Sequence, residues 1–174
     1  GFARHGIVPD IVTMGKPMAN GIPCSAMAIR ADVLDAFADN NPYFNTFAGN
    51  PVSMAAAQAV LDYIRENDIL AHTYDMGEKL RAAIHDVAAR RPRLADVRGA
   101  GLFCGVEVVK PGTQEADRPF AVSLIEQLRE NHVLISLCGP YGNVLKVRPP
   151  LVFNDADLDY FASALEASLD QLEN

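Results

Sequence analysis

Apolar positions along the chain fall into two rhythms, short continuous runs closed by turn residues and longer stretches with helical spacing. Residues 8–14 and 25–29 are apolar runs separated by the turn signal Asn20-Gly21, and both read as short strands, the first of them buried. Residues 32–38 carry Val33, Ala36 and Phe37 on one helical side. Residues 39–50, with several asparagines, Pro42 and aromatics, read as an irregular functional connection. Asn50 is a good N-cap and Pro51 a good first helical residue, so a helix should start there and continue through Ala55, Val60 and Ile64. A second helix is expected over 73–90, with Met76, Leu80, Ile84 and Val87 on one face.

Beyond that helix the spacing predicts a strand over 102–109, reached through Gly99 and Gly101, then a helix over 120–131 that gathers Leu124, Ile125 and Leu128. Strands follow over 133–137 and 144–148. A last helix is capped by Asn154, favoured at its N-terminus by Asp155 and Asp157, and striped with Leu158, Phe161, Leu165 and Leu172. Helix, strand, helix, strand, strand, helix describes a small α+β domain whose mostly antiparallel sheet is covered by helices. Residues 110–119 read as a mobile loop. The domain boundary belongs near 67–71, dividing the chain into 1–70 and 71–174, and no internal repeat is visible.

Composition narrows the classes. A chain of 174 residues that is 49% hydrophobic can bury a substantial core, and part of that apolar surface can also belong against further chain or a second subunit. A net charge of −7 with no basic stripe argues against nucleic-acid and anionic-membrane partners. Cys24, Cys104 and Cys138 are odd in number, widely spaced and set among apolar or small neighbours. They read as buried, reduced thiols of a cytoplasmic protein, not a disulfide framework. The four histidines show no ligand spacing, so no metal is expected. No apolar run approaches membrane-spanning length, and no signal peptide opens the chain.

Lys16 is the foremost candidate for chemistry, because it closes an apolar run between Gly15 and Pro17. A lysine in a desolvated pocket has a lowered pKa and can attack an aldehyde, whereas the alternative is a strand-end lysine that snorkels into water. Gly15-Lys16-Pro17 lacks the upstream glycine and the Ser/Thr of a phosphate-binding P-loop. The glycines at 99, 101 and 105 resemble a dinucleotide turn but run into a strand instead of opening a helix. No Gly-x-Ser-x-Gly hydrolase elbow is present.

Four ordered blocks set this lysine in a wider pattern. They are Gly1-Phe2-Ala3-Arg4-His5-Gly6 with Pro9-Asp10-Ile11-Val12 and the segment Gly15 to Pro23, then Phe44-Asn45-Thr46-Phe47-Ala48-Gly49-Asn50-Pro51, Asp96-Val97-Arg98-Gly99-Ala100-Gly101-Leu102-Phe103, and the segment Gly139 to Leu151. Together they span essentially the whole chain and resemble the class III aminotransferases, pyridoxal-phosphate enzymes of fold-type I. The resemblance implies an α/β fold, with 1–70 as the C-terminal part of the large cofactor-binding domain and 71–174 as the small C-terminal domain.

On this resemblance Lys16 is the internal aldimine lysine of pyridoxal 5'-phosphate and, once displaced by substrate, the base that moves a proton between substrate and cofactor carbons. Thr46 corresponds to a threonine that binds the cofactor phosphate of the neighbouring subunit, which implies a homodimer with shared active sites. The substrates implied are a small amine or amino acid and an oxo-acid. The family motif continues upstream with an Asp-Glu pair, a phosphate-binding turn and a stacking aromatic, so the present residues are expected to be a fragment that is inactive alone.

Lys146 stands where many relatives carry an arginine for the substrate carboxylate, and Arg148 where they often have a small residue. Lysine cannot fork onto a carboxylate as arginine does, so the usual clamp is altered. Lys146-x-Arg148-Pro149-Pro150, with Ile135-Ser136 and Gly139-Pro140, resembles the subgroup that holds alanine–glyoxylate aminotransferase 2-like proteins and ethanolamine-phosphate phospho-lyases. Lys146 and Arg148 are therefore candidates for substrate binding, the alternative being two solvated strand side chains. Phospho-lyase, mutase and decarboxylase chemistry stay open for the same cofactor, as does a non-catalytic, dimer-forming role for the fragment.

Overall fold

In the computed structural model, which describes residues 1–173, the chain folds as two units, Gly1–Asn67 and Asp68–Asn174. The first is built on an antiparallel pair, β1 (Ile11–Met14) and β2 (Ala26–Ile29), in a register that sets Ile11 against Ile29 and Met14 against Ala26. β1 is three residues shorter than the apolar run, because Pro9 has no N–H to give a ladder and Val8 lies outside it, 92% exposed. The expectation of a buried strand is also corrected: none of the four β1 residues is buried. Two strands alone have no third layer to cover both faces.

Arg30, at the end of β2, forms ion pairs with Asp10 and Asp32. Helix α1 (Ala31–Ala38) follows at once. The connection from Asp39 to Asn50 is irregular, as its composition predicts. Helix α2 (Pro51–Glu66) then begins at the expected cap, where Asn50 Oδ1 accepts the Ser53 N–H at 2.9 Å. Such a cap contributes about 1 kcal/mol. Ser53 Oγ donates to the Pro23 carbonyl at 3.1 Å and ties α2 to the connection that leads into β2.

The second unit opens with Asp68 in the left-handed conformation at φ 48°, a geometry that Asp tolerates better than most residues. Helix α3 (Ile69–Ala88) therefore starts four residues earlier than its periodicity indicated. A four-stranded sheet follows from β3 (Leu94–Ala100), β4 (Phe103–Val108), β5 (Ser136–Cys138) and β6 (Val144–Val147), in the order β3-β4-β6-β5. Every pairing is antiparallel. β3 is an element the sequence reading lacked, since Asp96, Arg98 and Gly99 break its apolar alternation and its register with β4 shifts between Leu94 and Val97. A bulge of that kind hides a strand from any period-2 pattern.

Helix α4 (Arg118–Glu130) and α3 pack on the sheet face presented by Cys104, Val106, Val108, Leu145 and Val147, and helix α5 (Asp155–Glu173) packs against both helices. Leu80, Leu124, Leu128 and Leu169 are fully buried in this core. The α5 cap is as expected: Asn154 Oδ1 accepts from Ala156 and Asp157, while Asp157 Oδ2 accepts the Asn154 N–H at 3.1 Å. Residues 110–119 do not form the loose loop their composition indicated. Val109 bridges to Ala116, Lys110 pairs with Glu115, and Asp117 caps α4 through the Phe120 N–H.

The thiols differ from one another, which corrects the reading of three buried cysteines. Cys104 is buried, Cys24 is half-buried and Cys138 is exposed, because the short β5 edge strand leaves its outer side uncovered. Burial pushes the Cys104 thiol up. The folded value lies above the unfolded one, so this contribution to stability is complete at neutral pH and declines as pH climbs past about 8.5. Alkylation of the native protein with iodoacetamide at pH 8 should modify Cys138 and spare Cys104 until the chain unfolds. Equal labelling rates at the two positions would contradict this burial difference.

Candidate active site

Lys16 lies immediately beyond β1, at the start of a short 3-10 turn from Lys16 to Ala19. Its backbone is left-handed at φ 53°, between an extended Gly15 and Pro17, whose ring fixes its own φ. A residue with a Cβ rarely adopts this conformation, and holding it there costs about 1 kcal/mol. The turn is closed by the Asn20 N–H bonding to the Pro17 carbonyl at 2.9 Å, with Asn20 itself left-handed at φ 50°. Ala19 is the buried residue of the turn, and the turn packs against α2.

The side chain of Lys16 is exposed and joins no ion pair among the described residues. The desolvated pocket invoked for this amine is therefore not supplied by the residues of this unit. What the unit does supply is a fixed backbone and an uncommitted primary amine.

Thr46 lies at the head of a turn in the connection before α2. Asn45 Oδ1 accepts from the Phe47 N–H at 3.1 Å and the Ala48 N–H at 3.2 Å, so those two amides are spent on holding the turn. The Thr46 hydroxyl makes no hydrogen bond within the chain among the described residues, and it stands exposed between Phe44 and Phe47, which are 87% and 79% exposed. The local bonding that would explain Thr46 without a ligand is not made.

Lys146 and Arg148 do come together. Both line a cavity of about 700 Å³ in the second unit, between the start of β5, the end of β6 and the first turns of α5. Ser136, Phe153, Tyr160 and Phe161 contribute to its wall. The register pairs Ser136 directly with Lys146, so the two side chains share one side of the sheet. Phe153 is held in place by His72, whose Nε2 donates to the Phe153 carbonyl at 2.8 Å, and Tyr160 Oη donates to the Asn131 carbonyl at 3.1 Å.

Ser136 is a residue that pattern reasoning did not place in a site. Only the pairing of β5 with β6 reveals its neighbour, and β5 is three residues long.

The donor set suits pyridoxal phosphate in part: an amine able to hold an aldehyde and a hydroxyl able to meet a phosphate oxygen. Among the described residues no group of histidine, cysteine and carboxylate side chains is arranged to hold a metal ion, and no helix is long and apolar enough to cross a membrane.

Comparison with known proteins gives a consistent result. The aminotransferase class-III family model matches residues 1–169. An ethanolamine-phosphate phospho-lyase homolog from Caenorhabditis elegans is 42% identical over 166 residues, which are 94% of this chain and 36% of that protein. An alanine–glyoxylate aminotransferase 2-like protein of Drosophila melanogaster is 37% identical over 163 residues, covering 92% of this chain and 33% of that protein. Among solved structures, a phospholyase from Arthrobacter in complex with phosphoethanolamine superposes with a TM-score of 0.94 at 43% identity, over 97% of this chain and 40% of that one. The chain thus spans about a third of the length of these relatives.

Proposed function

Because the chain belongs to the class-III aminotransferase family, whose members are pyridoxal-phosphate-dependent enzymes of fold-type I, we propose that the whole protein moves an amino group between an amine or amino acid and an oxo-acid. Lys16 carries this reading: an uncommitted amine on a rigid left-handed turn directly after a strand. When bound, the cofactor supplies the electron sink for the reaction. Lys16 Nζ would hold the cofactor's aldehyde carbon, and the amine, once freed, would hold and move a proton at the substrate carbon. Fixing the Lys16 backbone in advance limits where that proton can be delivered.

Thr46 Oγ donates to a cofactor phosphate oxygen of a second subunit, so two chains complete each site. The exposed Phe44 and Phe47 beside it support this reading, as apolar surface that a partner subunit would cover. Lys146 and Arg148 receive the anionic end of the substrate. The free thiols fit a reducing compartment, here the cytoplasm.

Borohydride reduction of the full-length holoenzyme, followed by peptide mapping, should place the pyridoxyl label on Lys16. A label on any other lysine overturns the assignment.

A second reading is favoured by the similarity to two phospho-lyases at 42% and 43% identity. In that reading the substrate is phosphoethanolamine. It loses a carbon-bound proton, its C–O bond breaks with the electron pair leaving on phosphate, and the resulting enamine takes up one water to give acetaldehyde and ammonia. Incubating the full-length enzyme with the phosphorylated amine separates the two readings. Phosphate and aldehyde formed without any oxo-acid support elimination, whereas amino-acid formation that requires pyruvate or glyoxylate supports transfer.

A further inference from the structure

We propose that Ser53 is a positioning residue for Lys16: its hydroxyl fixes the lysine turn to α2, and with it the place at which Nζ meets the cofactor's aldehyde carbon. The inference rests on the reading of Lys16 given above and names a residue outside the reacting groups on which that reading depends. Its first support is where the first unit is buried. Among the described residues 1–67, only Ala19, Ser53 and Ala57 are buried, at 3%, 8% and 6% exposure. Ala19 belongs to the turn that starts at Lys16, Ser53 and Ala57 belong to α2, and the turn and the helix are in contact. Ser53 and Ala57 are four residues apart and so lie on one helix face. The buried residues of this unit are thus drawn from the lysine turn and one face of α2, and Ser53 is the polar one among them.

The second support is direction. Methyl groups in contact restrain a distance and leave sliding free, whereas a hydrogen bond also restrains an angle. Ser53 Oγ donates to the Pro23 carbonyl at 3.1 Å, and among the described residues no other hydrogen bond joins α2 to residues 15–25. Pro23 follows Ile22, whose N–H donates to the Ala19 carbonyl at 3.2 Å, and the Asn20 N–H closes the turn on Pro17, so the tie reaches the lysine through two short hydrogen-bonded steps. On its other side the lysine is held by β1, where Met14 pairs with Ala26. The helix end of the tie is firm: the Ser53 N–H donates to Asn50 Oδ1 at 2.9 Å, and Asn50 Nδ2 donates to the Phe47 carbonyl at 3.1 Å. A lysine at φ 53° persists only where its surroundings hold it. Among the described residues, the Ser53 hydroxyl is the hydrogen-bonded restraint that α2 contributes.

The test uses the full-length protein freed of cofactor, its Ser53→Ala and Ser53→Cys variants, and two probes, pyridoxal 5'-phosphate and pyridoxine 5'-phosphate. Pyridoxine phosphate carries an alcohol in place of the aldehyde and so cannot bond to Lys16. Pyridoxal phosphate can: Nζ adds to the aldehyde carbon, the aldehyde oxygen leaves as water, and borohydride reduces the C=N bond to a stable label. Both variants should form the Lys16 label about 5- to 10-fold more slowly than wild type, while their Kd for pyridoxine phosphate stays within about twofold. In the cofactor-free protein, hydrogen exchange at the Asn20 and Ile22 amides should speed up by a similar factor, with α3 and α5 unaltered. Cysteine separates the bond from the filling of space, since it keeps a side chain of similar shape but is a weak donor. A cysteine variant that labels like wild type would overturn the proposal in favour of packing. Equal losses for the two probes would overturn it too, because they indicate a general disturbance of the site. A wild type whose label lies on another lysine sinks the Lys16 reading beneath the proposal, whereas a wild-type label at Lys16 that neither variant slows sinks this inference alone.

Discussion

Replacement of Lys16 by alanine is expected to abolish turnover in the full-length enzyme, lowering kcat by on the order of 10⁴-fold, while leaving its thermal stability within about 0.5 kcal/mol of wild type. Both halves of the expectation come from the same residue. The amine is exposed and in no ion pair among the described residues, so its removal breaks no contact that holds the fold. Alanine carries the same Cβ, so the left-handed backbone at φ 53° is neither relieved nor worsened. Activity has no such substitute under the proposed function, in which one nitrogen serves as both cofactor tether and proton carrier. A small primary amine such as methylamine, added in excess, should restore a measurable fraction of the rate by acting as an external base. Residual activity within tenfold of wild type would show that the chemistry resides on another residue.

The largest structural effect is expected at Gly77, in the middle of α3. A Cβ built there would stand 2.6 Å from the Gly101 Cα and closer still to the Gly101 carbonyl, which is backbone and cannot swing aside. Gly101 is itself held at φ 52° in the turn between β3 and β4, so the clash cannot be relaxed by a simple rotation of that turn. Gly77→Ala should therefore lower stability by about 3 kcal/mol, even though alanine is the better helix former by about 1 kcal/mol. For a unit of this size that corresponds to a fall of about 15 °C in the melting temperature. Circular dichroism and urea denaturation of the full-length protein would register it, and a variant as stable as wild type would mean that α3 and the β3–β4 turn are not in backbone contact.

These two positions illustrate what could be read from residues in advance. Lys16 stands out in the sequence because glycine and proline frame it, and the helices announce themselves through caps such as Asn50 and Asn154, which are local features. The buried stripe of α3 at Met76, Leu80, Ile84 and Val87 is equally local, being fixed by the 3.6-residue period.

Misread features depend on distant partners. β3 escapes notice because its charged residues face outward on an edge strand and its bulge shifts the alternation. The firm closure of 110–119 rests on Lys110–Glu115 and the Val109–Ala116 bridge, pairings that composition cannot show. Cys138 is exposed because β5 is an edge, and Ser136 joins Lys146 only through strand register. Fold class and the candidate amine Lys16 are local information, whereas the neighbourhood of Lys146 is assembled by pairing.

If Lys16 has its proposed role, the left-handed backbone at position 16 sets catalysis and durability against each other. Glycine or asparagine would sit there with less torsional penalty, so heat-based selection that ignores activity should let the lysine drift away, and the survivors would be hardier and inert. Retention of a strained lysine at this point in any descendant sequence is thus a record of continuing selection for chemistry.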